Sequence, residues 1–267
     1  MSTTIVIPMY SAALSENEHI SLQQMKKVFK KQHFSIVCPR EMNSSVDTLF
    51  SDVEYLVVNF PKKMFNNTRT YNRLLTSLEF YKNFTAYSHI LICQLDVYVF
   101  SDSLSEWEQS PYDFIGAPTF EGHASCSTQF KSSLNGGVSL RNVGSMIKVL
   151  EQVPTQFNSI RSLYAMEKTW LLKCVRLFRD GLIYNYNTPK LHPIINEDLY
   201  WSYLVPREHP WFKIPTPQIA MTFSFDVHPR HLFTLNKEIL PMAIHAWWRY
   251  DKEFVRELIN NSQQKAL

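Results

Sequence analysis

The order of apolar runs in the N-terminal part of the chain constrains the fold more than any other feature. Four short runs rich in apolar residues are separated by turns or by segments with helical spacing: Thr4–Pro8, Phe34–Cys38, Tyr55–Val58 and His89–Cys93. The alternation of strands with helices is typical of α/β proteins, and continuous apolar strands are typical of sheets buried on both faces. We therefore predict an α/β fold with a mostly parallel central sheet flanked by helices.

The segments between these runs predict the flanking helices. Leu22, Met25 and Phe29 recur at helical spacing, and the same pattern predicts a helix over about 70–83. Four lysines (Lys26, Lys27, Lys30, Lys31) fall on the other side of the first helix. We interpret them as a solvated helix face. The alternative is a contact with an anionic membrane surface or an acidic partner.

The pattern changes at about residue 110, where regular α/β alternation gives way to mixed α+β character. Helical signals follow near 143–150, 162–179 and 198–204, between prolines and short strands. No linker composition marks a division of the chain. We predict one domain over 1–267, with an N-terminal half of about 1–110 and a C-terminal half of about 111–267.

Composition excludes several classes of protein. The chain has 27 basic and 24 acidic residues, a net charge of +3, too small to indicate a nucleic-acid partner. No apolar stretch approaches the roughly 20 residues of a membrane span. The cysteines show no Cys-x-x-Cys pair, and no signal peptide is visible, so we expect a reducing, cytoplasmic location.

Asp96 is the first candidate for chemistry because it follows the buried run His89–Cys93. Ligands of open α/β sheets bind outside the carboxyl ends of strands. A carboxylate at that edge can hold a divalent cation, which in turn neutralises a diphosphate. The alternative is a solvated or capping aspartate at a strand end.

Two further motifs carry candidate residues in the C-terminal half. Asn135, Gly136 and Gly137 form a loop in which glycine lets the backbone approach a ligand, or else an Asn-Gly hairpin turn. Glu197 and Asp198 precede an amphipathic run and offer a general base, or else the capped start of a helix.

His245 and Arg73 complete the candidates. His245 lies in an apolar, aromatic stretch, which is typical of a core histidine, with a metal or phosphate ligand as the alternative. Arg73 is singled out because it opens the helix that leads to the Asp96 strand. The sequence has no P-loop, no Rossmann glycine pattern, and no zinc-protease or nucleophile-elbow motif.

The order of these motifs resembles the GT-A glycosyltransferase fold. In that fold an Asp-x-Asp motif holds metal and nucleotide sugar, a glycine loop lines the donor and acceptor site, an x-Glu-Asp motif supplies the base, and a late histidine completes the metal site. More narrowly, the chain resembles a bacterial family of glycosyltransferase-like proteins long catalogued as a domain of unknown function. The matching stretches are Tyr71–Leu75, Ile90–Phe100, Tyr112–Pro118, Asn135–Arg141, Asn196–Asp198 and His245–Trp247.

The resemblance implies an enzyme, a glycosyltransferase and specifically a hexosyltransferase, acting with inversion on a nucleoside diphosphate sugar. Its N-terminal half would bind the nucleotide and its C-terminal half the acceptor, a glycan or glycolipid of cell-surface polysaccharide or lipopolysaccharide. Asp96 and His245 would hold Mn²⁺ or Mg²⁺, Asp96, Arg73 and Tyr98 would bind the donor, and Asp198, or failing it Glu197, would be the base. Asn135, Gly136 and Gly137 would line the donor and acceptor.

One departure from the pattern is Tyr98, which stands where the second aspartate of Asp-x-Asp is usual. Because this second carboxylate is missing, a catalytically silent carbohydrate- or partner-binding domain is an alternative to an enzyme. A nucleotidyltransferase is a second alternative. It would need a glycine-rich, basic loop after the first strand, where Pro8–Ser11 stands instead.

Overall fold

A computed structural model describes residues 3–124, 127–152 and 196–264, together with Trp170. The strands are β1 (Thr3–Pro8), β2 (His33–Cys38), β3 (Tyr55–Asn59), β4 (His89–Cys93), β5 (Tyr98–Val99), β6 (Phe114–Phe120), β7 (Phe130–Asn142), β8 (Ser224–Phe225) and β9 (Ala243–Ile244). The α-helices are α1 (Glu16–Val28), α2 (Asn43–Leu49), α3 (Thr68–Leu75), α4 (Leu78–Lys82), α5 (Leu104–Glu108), α6 (Val143–Glu151), α7 (Glu197–Leu199), α8 (Val205–Glu208), α9 (Pro217–Phe223), α10 (Pro229–Leu235) and α11 (Lys252–Gln264).

The central sheet has six strands in the order β3-β2-β1-β4-β7-β6. The first four in that order are mutually parallel. The predicted α/β fold with a mostly parallel sheet is thus confirmed. β7 runs antiparallel to both β4 and β6, so strands from both halves of the chain share one sheet.

The strand sequences explain why both faces of this sheet are buried. Ile5 and Leu91 point to one face, where they pack with Leu22, Met25 and Phe29 of the α1 segment. Val6, Ile90 and Ile92 alternate with them and pack on the opposite face against α4, α6 and the chain after Asn196. Each strand therefore has to be apolar along its whole length, which is the pattern that the sequence shows.

The prediction of one continuous helix over 70–83 is wrong. The structure has two helices, α3 and α4, separated at Thr76 and Ser77. The Ser77 side chain accepts a hydrogen bond from the backbone N–H of Phe80 at 3.2 Å and so caps α4. A serine in the helix interior competes for backbone hydrogen bonds, which favours a new helix start over continuation.

The predicted solvated lysine face of α1 is also wrong at one position. Lys26 is buried and forms an ion pair with Asp52, and its ammonium donates to the carbonyl of Leu49. Lys27, Lys30 and Lys31 are exposed as expected. Burial of Lys26 leaves three of the four lysines to meet any surface or partner.

The later helical predictions divide between described and undescribed residues. α6 coincides with the predicted helix near 143–150. The prediction over 198–204 lies inside a longer helical segment, in which α7 continues through a π-helical turn (Tyr200–Leu204) into α8. The helix predicted over 162–179 lies outside the described residues, except for Trp170. No helix in the described part of the chain is long and apolar enough to cross a membrane.

Candidate active site

A second, three-stranded sheet brings distant parts of the chain together beside the central sheet. Its order is β5-β9-β8, with β9 parallel to β8 and antiparallel to β5. The register pairs Phe225 with Ile244 and Ile244 with Tyr98. Asp226 and His245, the residues after β8 and β9, therefore emerge at one edge, and the chain entering β5 brings Asp96 to the same edge.

These residues form a hydrogen-bonded group that we call the His245 cluster: Gln94, Asp96, Asp226, His245 and Arg249. His245 Nδ1 lies 3.0 Å from Asp226 Oδ1, and Nε2 lies 3.3 Å from both Asp96 Oδ1 and Gln94 Oε1. Arg249 Nη2 lies 3.0 Å from Asp96 Oδ2. The structure thus brings together Asp96 and His245, as the sequence predicted, and adds three partners.

The cluster sets the charge of its members. Burial alone would lower the pKa of His245, but hydrogen bonds to Asp226 and Asp96 raise it to about 10. Burial would raise the pKa of Asp96, but the hydrogen bond to His245 and the charges of His245 and Arg249 hold it below its usual value. At neutral pH His245 is therefore an imidazolium, and Asp96 is a carboxylate held between it and the Arg249 guanidinium.

The paired glycines have a different place from the one predicted. Asn135, Gly136 and Gly137 lie within β7 and form neither a loop nor a hairpin turn. A Cβ on Gly136 would lie 2.2 Å from Glu197 Oε1, and one on Gly137 would lie 2.2 Å from His245 Nε2. The strand lacks side chains here because Glu197 and His245 occupy the space.

Glu197 is held in a buried ion pair with Arg141 of β7. Arg141 Nη2 donates to Glu197 Oε1 at 2.9 Å, and Nη1 lies 2.8 Å from Oε2. The guanidinium also donates to the hydroxyls of Ser139 and Tyr81, at 2.9 and 3.0 Å. Arg141 is 0% and Glu197 5% exposed, so the ion pair is closed to solvent, and Glu197 Oε2 contacts the guanidinium without forming a hydrogen bond of its own.

Asp198, the next residue, has a different environment. Its side chain is half-buried, and Oδ1 accepts a hydrogen bond from the backbone N–H of Leu199 at 2.7 Å. Burial and the neighbouring charge of Glu197 raise the pKa of Asp198 to about 7. The charge of Asp226 acts in the same direction, so Asp198 lies within electrostatic reach of the His245 cluster. A carboxyl group with this pKa is suited to accept a proton near neutral pH.

The remaining predicted site residues lie apart from these groups. Tyr98 is 1% exposed, its ring packs against Trp247, and its hydroxyl accepts a hydrogen bond from Gln263. Arg73 is exposed in the last turn of α3 and does not open that helix, as the sequence analysis supposed. The geometry gives no support to donor binding by either residue, and both roles stay predictions.

Two asparagines near the site form hydrogen bonds with neighbouring residues and not with its charged groups. Asn135 Oδ1 accepts a hydrogen bond from the backbone N–H of Gly137 at 2.7 Å, which fixes the glycine pair within β7. Asn196 precedes α7, but its side chain makes no capping hydrogen bond and accepts instead from Asn72 at 3.3 Å. The helix start at Glu197 therefore has no side-chain cap from Asn196.

Sequence reasoning missed four residues that the structure places at the site: Tyr10, Arg141, Asp226 and Arg249. Tyr10 is exposed just beyond β1, and partial burial together with the charges of Glu18 and Asp96 raises its pKa, while the charge of Arg249 lowers it. Its position at the carboxyl end of a parallel strand was the available signal. No local signal marks Arg141, Asp226 or Arg249, whose partners are distant in sequence.

A family model matches residues 54–245, and its description reads protein of unknown function, DUF5672. This range covers most of the chain and contains Asp96, Asp226 and both members of the Arg141–Glu197 pair. The chain belongs to the DUF5672 family. No curated protein sequence matches it.

Similarity to solved structures identifies the fold of this DUF5672 protein. Mouse xyloside xylosyltransferase 1 is 12% identical, with a TM-score of 0.50 and coverage of 91% of this chain and 96% of that one. An active-site mutant of LgtC is 13% identical, with a TM-score of 0.50 and coverage of 97% and 95%. At these identities the similarity shows the fold, which is that of GT-A glycosyltransferases.

Because GT-A proteins commonly use a divalent cation, we tested whether the DUF5672 residues fit one. Asp96 Oδ1 offers an oxygen donor, and His245 Nε2 offers a nitrogen donor once a cation displaces its proton, while Asp226 holds the other ring nitrogen as carboxylates behind a metal-bound histidine do. Within the described residues no third His, Cys, Asp or Glu joins them as a ligand. The pair fits a cation whose remaining ligands come from a diphosphate and water.

Proposed function

We propose that this protein is a glycosyltransferase that moves a sugar from a nucleoside diphosphate sugar to an acceptor hydroxyl. The GT-A fold supports this assignment at the level of architecture. The observation that carries it is the pair of unlike carboxyls at the start of α7. Glu197 is neutralised by Arg141, whereas Asp198 has a pKa of about 7 and is half-buried within reach of the His245 cluster.

In this proposal Asp198 is the general base, and Glu197 has a structural role. Asp198 would take the proton from the acceptor hydroxyl as the oxygen attacks the anomeric carbon. A single displacement of that kind inverts the anomeric configuration, and loss of a base of this kind typically lowers the rate by about 10²–10⁴-fold. Glu197 is unsuited to the task because both of its oxygens contact the Arg141 guanidinium.

The donor diphosphate would lie at the His245 cluster. Asp96 and His245 would hold Mn²⁺ or Mg²⁺, and the bound cation would act as a Lewis acid for the leaving group. Arg249 contacts Asp96, yet its side chain is 58% exposed, so its guanidinium is accessible to the diphosphate. Tyr10, at the end of β1, would contact the nucleoside.

The biological setting is a further part of the proposal. We place the enzyme in the bacterial cytoplasm, with the exposed lysines of α1 as a contact to the inner face of the membrane. The acceptor would be a glycan or glycolipid of cell-surface polysaccharide or lipopolysaccharide, and the transferred sugar a hexose. The family resemblance supports this setting. Buried, unpaired Cys38 and Cys93 are consistent with a reducing compartment.

The test is a panel of sugar nucleotides assayed for release of UDP or GDP, with and without Mn²⁺. Asp198→Asn should lower kcat by about 10²–10⁴-fold while the Kd for the nucleotide changes little, because the base contacts the acceptor. Asp96→Ala should abolish turnover. Release of no nucleoside diphosphate by the wild type would favour a silent binding domain, and release of pyrophosphate would favour a nucleotidyltransferase.

A further inference from the structure

We propose that a cavity beside Arg249 is the acceptor site and that it binds a neutral, hydroxyl-rich sugar ring. The cavity has a volume of about 610 Å³, within the range of small-molecule sites. Its polar lining residues are His228, Arg230, His231, Thr234, Arg249, Tyr250 and Asp251. The inference rests on the proposed function, which requires an acceptor but does not say where it lies.

The chemistry of the lining selects the ligand class. Pockets for drug-sized ligands are mostly apolar, whereas nearly half of the exposed wall of this one is polar. Both arginines have anionic partners: Arg230 Nε and Nη2 donate to Asp251 at 2.9 and 3.3 Å, and Arg249 contacts Asp96 and, in the proposed complex, the diphosphate. With their charges balanced, the walls favour a neutral ligand that both donates and accepts hydrogen bonds. A sugar ring has these properties.

The position of the cavity fits an acceptor better than a donor. Arg249 lies on the cavity wall, and its Nη2 is 3.0 Å from Asp96 Oδ2, so the cavity adjoins the proposed diphosphate position. Tyr10, which would contact the nucleoside, is not among the residues that line the cavity. The nucleoside therefore has a place outside the cavity, and the cavity is left for the sugar that accepts the transferred group.

Backbone conformation marks the same place. His228 and Asp251 line the cavity with positive φ angles of 56° and 45°, and His123 and Ala246, each next to a residue of the cavity wall or the His245 cluster, have φ of 56° and 49°. Residues other than glycine rarely adopt this conformation, and such residues cluster at ligand sites. Four of the six non-glycine residues with positive φ in the described part of the chain lie here, and the other two, Lys237 and Glu238, follow α10. This concentration supports a built site rather than an incidental surface hollow.

The experiment fills the cavity and measures sugar and nucleotide binding separately. Thr234 is exposed on α10, and its hydroxyl donates to the carbonyl of Arg230 at 3.1 Å. Thr234→Trp should fill the space without disturbing the core. Thr222→Trp on α9 is the matched control, because Thr222 is also exposed, makes the same kind of bond to Ile219 at 2.8 Å and lies outside the lining.

Saturation-transfer NMR with methyl glucoside, galactoside and mannoside would report sugar binding, and UDP and GDP would report nucleotide binding. We expect at least a tenfold weaker sugar affinity for Thr234→Trp, unchanged nucleotide affinity, and no change for Thr222→Trp. Ala124→Trp, from another exposed part of the wall, should reproduce the loss and replaces Thr234→Trp if that variant fails to fold.

The outcomes separate this inference from the proposed function. Sugar binding that both cavity variants retain, or nucleotide binding that they lose instead, would overturn the acceptor site. Absence of binding of every glycoside to the wild type would also overturn it. Cavity-dependent sugar binding without any nucleotide binding would support the site and contradict the glycosyltransferase.

Discussion

The buried ion pair between Arg141 and Glu197 allows a prediction that needs no substrate. Arg141→Met keeps an unbranched side chain of similar reach but removes the charge. Because Arg141 is 0% and Glu197 5% exposed, water cannot replace the guanidinium at the carboxylate. Breaking such a pair from one side typically costs about 3–5 kcal/mol. We expect the free energy of unfolding to fall by that amount in urea denaturation at pH 7, with a decrease in Tm on the order of 10 °C.

Removing both charges should recover most of this loss. In Arg141→Met/Glu197→Met no carboxylate is stranded, and buried ion pairs replaced by apolar residues are often neutral in stability. The other partners of Arg141 keep their own hydrogen bonds, since Ser139 donates to the Gly136 carbonyl and Tyr81 to that of Leu75.

The surface pair Lys82–Glu151, 4.0 Å apart and half-exposed, is the matched control. Lys82→Met should change stability by less than about 1 kcal/mol. The reasoning is refuted if Arg141→Met is no more destabilising than Lys82→Met, or if the double variant is less stable than the single one.

Three further predictions concern the site. Asp198 has a pKa of about 7 in the folded protein against an ordinary 3.8, so its deprotonation destabilises the folded protein as pH rises from 4 to 8. The Tm of Asp198→Asn relative to that of the wild type should therefore increase over that range. A Tm difference that stays constant would contradict the raised pKa. Gly137→Ala should displace His245 and weaken UDP or GDP binding at least tenfold, as measured by isothermal titration. Gly144→Ala in α6 is the control and should leave this binding unchanged, because its new Cβ would meet only Asn142 at 3.5 Å. Tyr10→Ala should weaken nucleotide binding by about 1–3 kcal/mol if its ring stacks on the base, and an unchanged Kd would remove Tyr10 from the site.

The parallel part of the fold could be predicted from the sequence because its signals are local. Continuous apolar runs fix β1 to β4, and the capping box at Ser15 together with apolar spacing fixes α1. The antiparallel placement of β7 could not be predicted, because it depends on which edge of the sheet remains free once β1 to β4 have formed.

The candidate site was predictable in part for the same reason. Asp96 follows a recognisable strand, and His245 belongs to a recognisable motif. Their partners Asp226 and Arg249 follow from the register of two-residue strands, which carry no periodic signal. The sequence marked the glycine pair as a candidate site, but it did not show why glycine is required there. The reason is that the side chains of Glu197 and His245 pack against the two glycines.

The register of the small sheet also implies an order of assembly. Asp96 meets Asp226 and His245 only when β9 has inserted between β5 and β8, and more than a hundred residues separate β5 from β8 and β9. Contacts of such long range form slowly, because the intervening loop must close before they contribute stability. During synthesis on the ribosome, the strands β1 to β4 can therefore pair well before any ligand site exists. A nascent chain would complete the His245 cluster only after β9 has emerged from the ribosome.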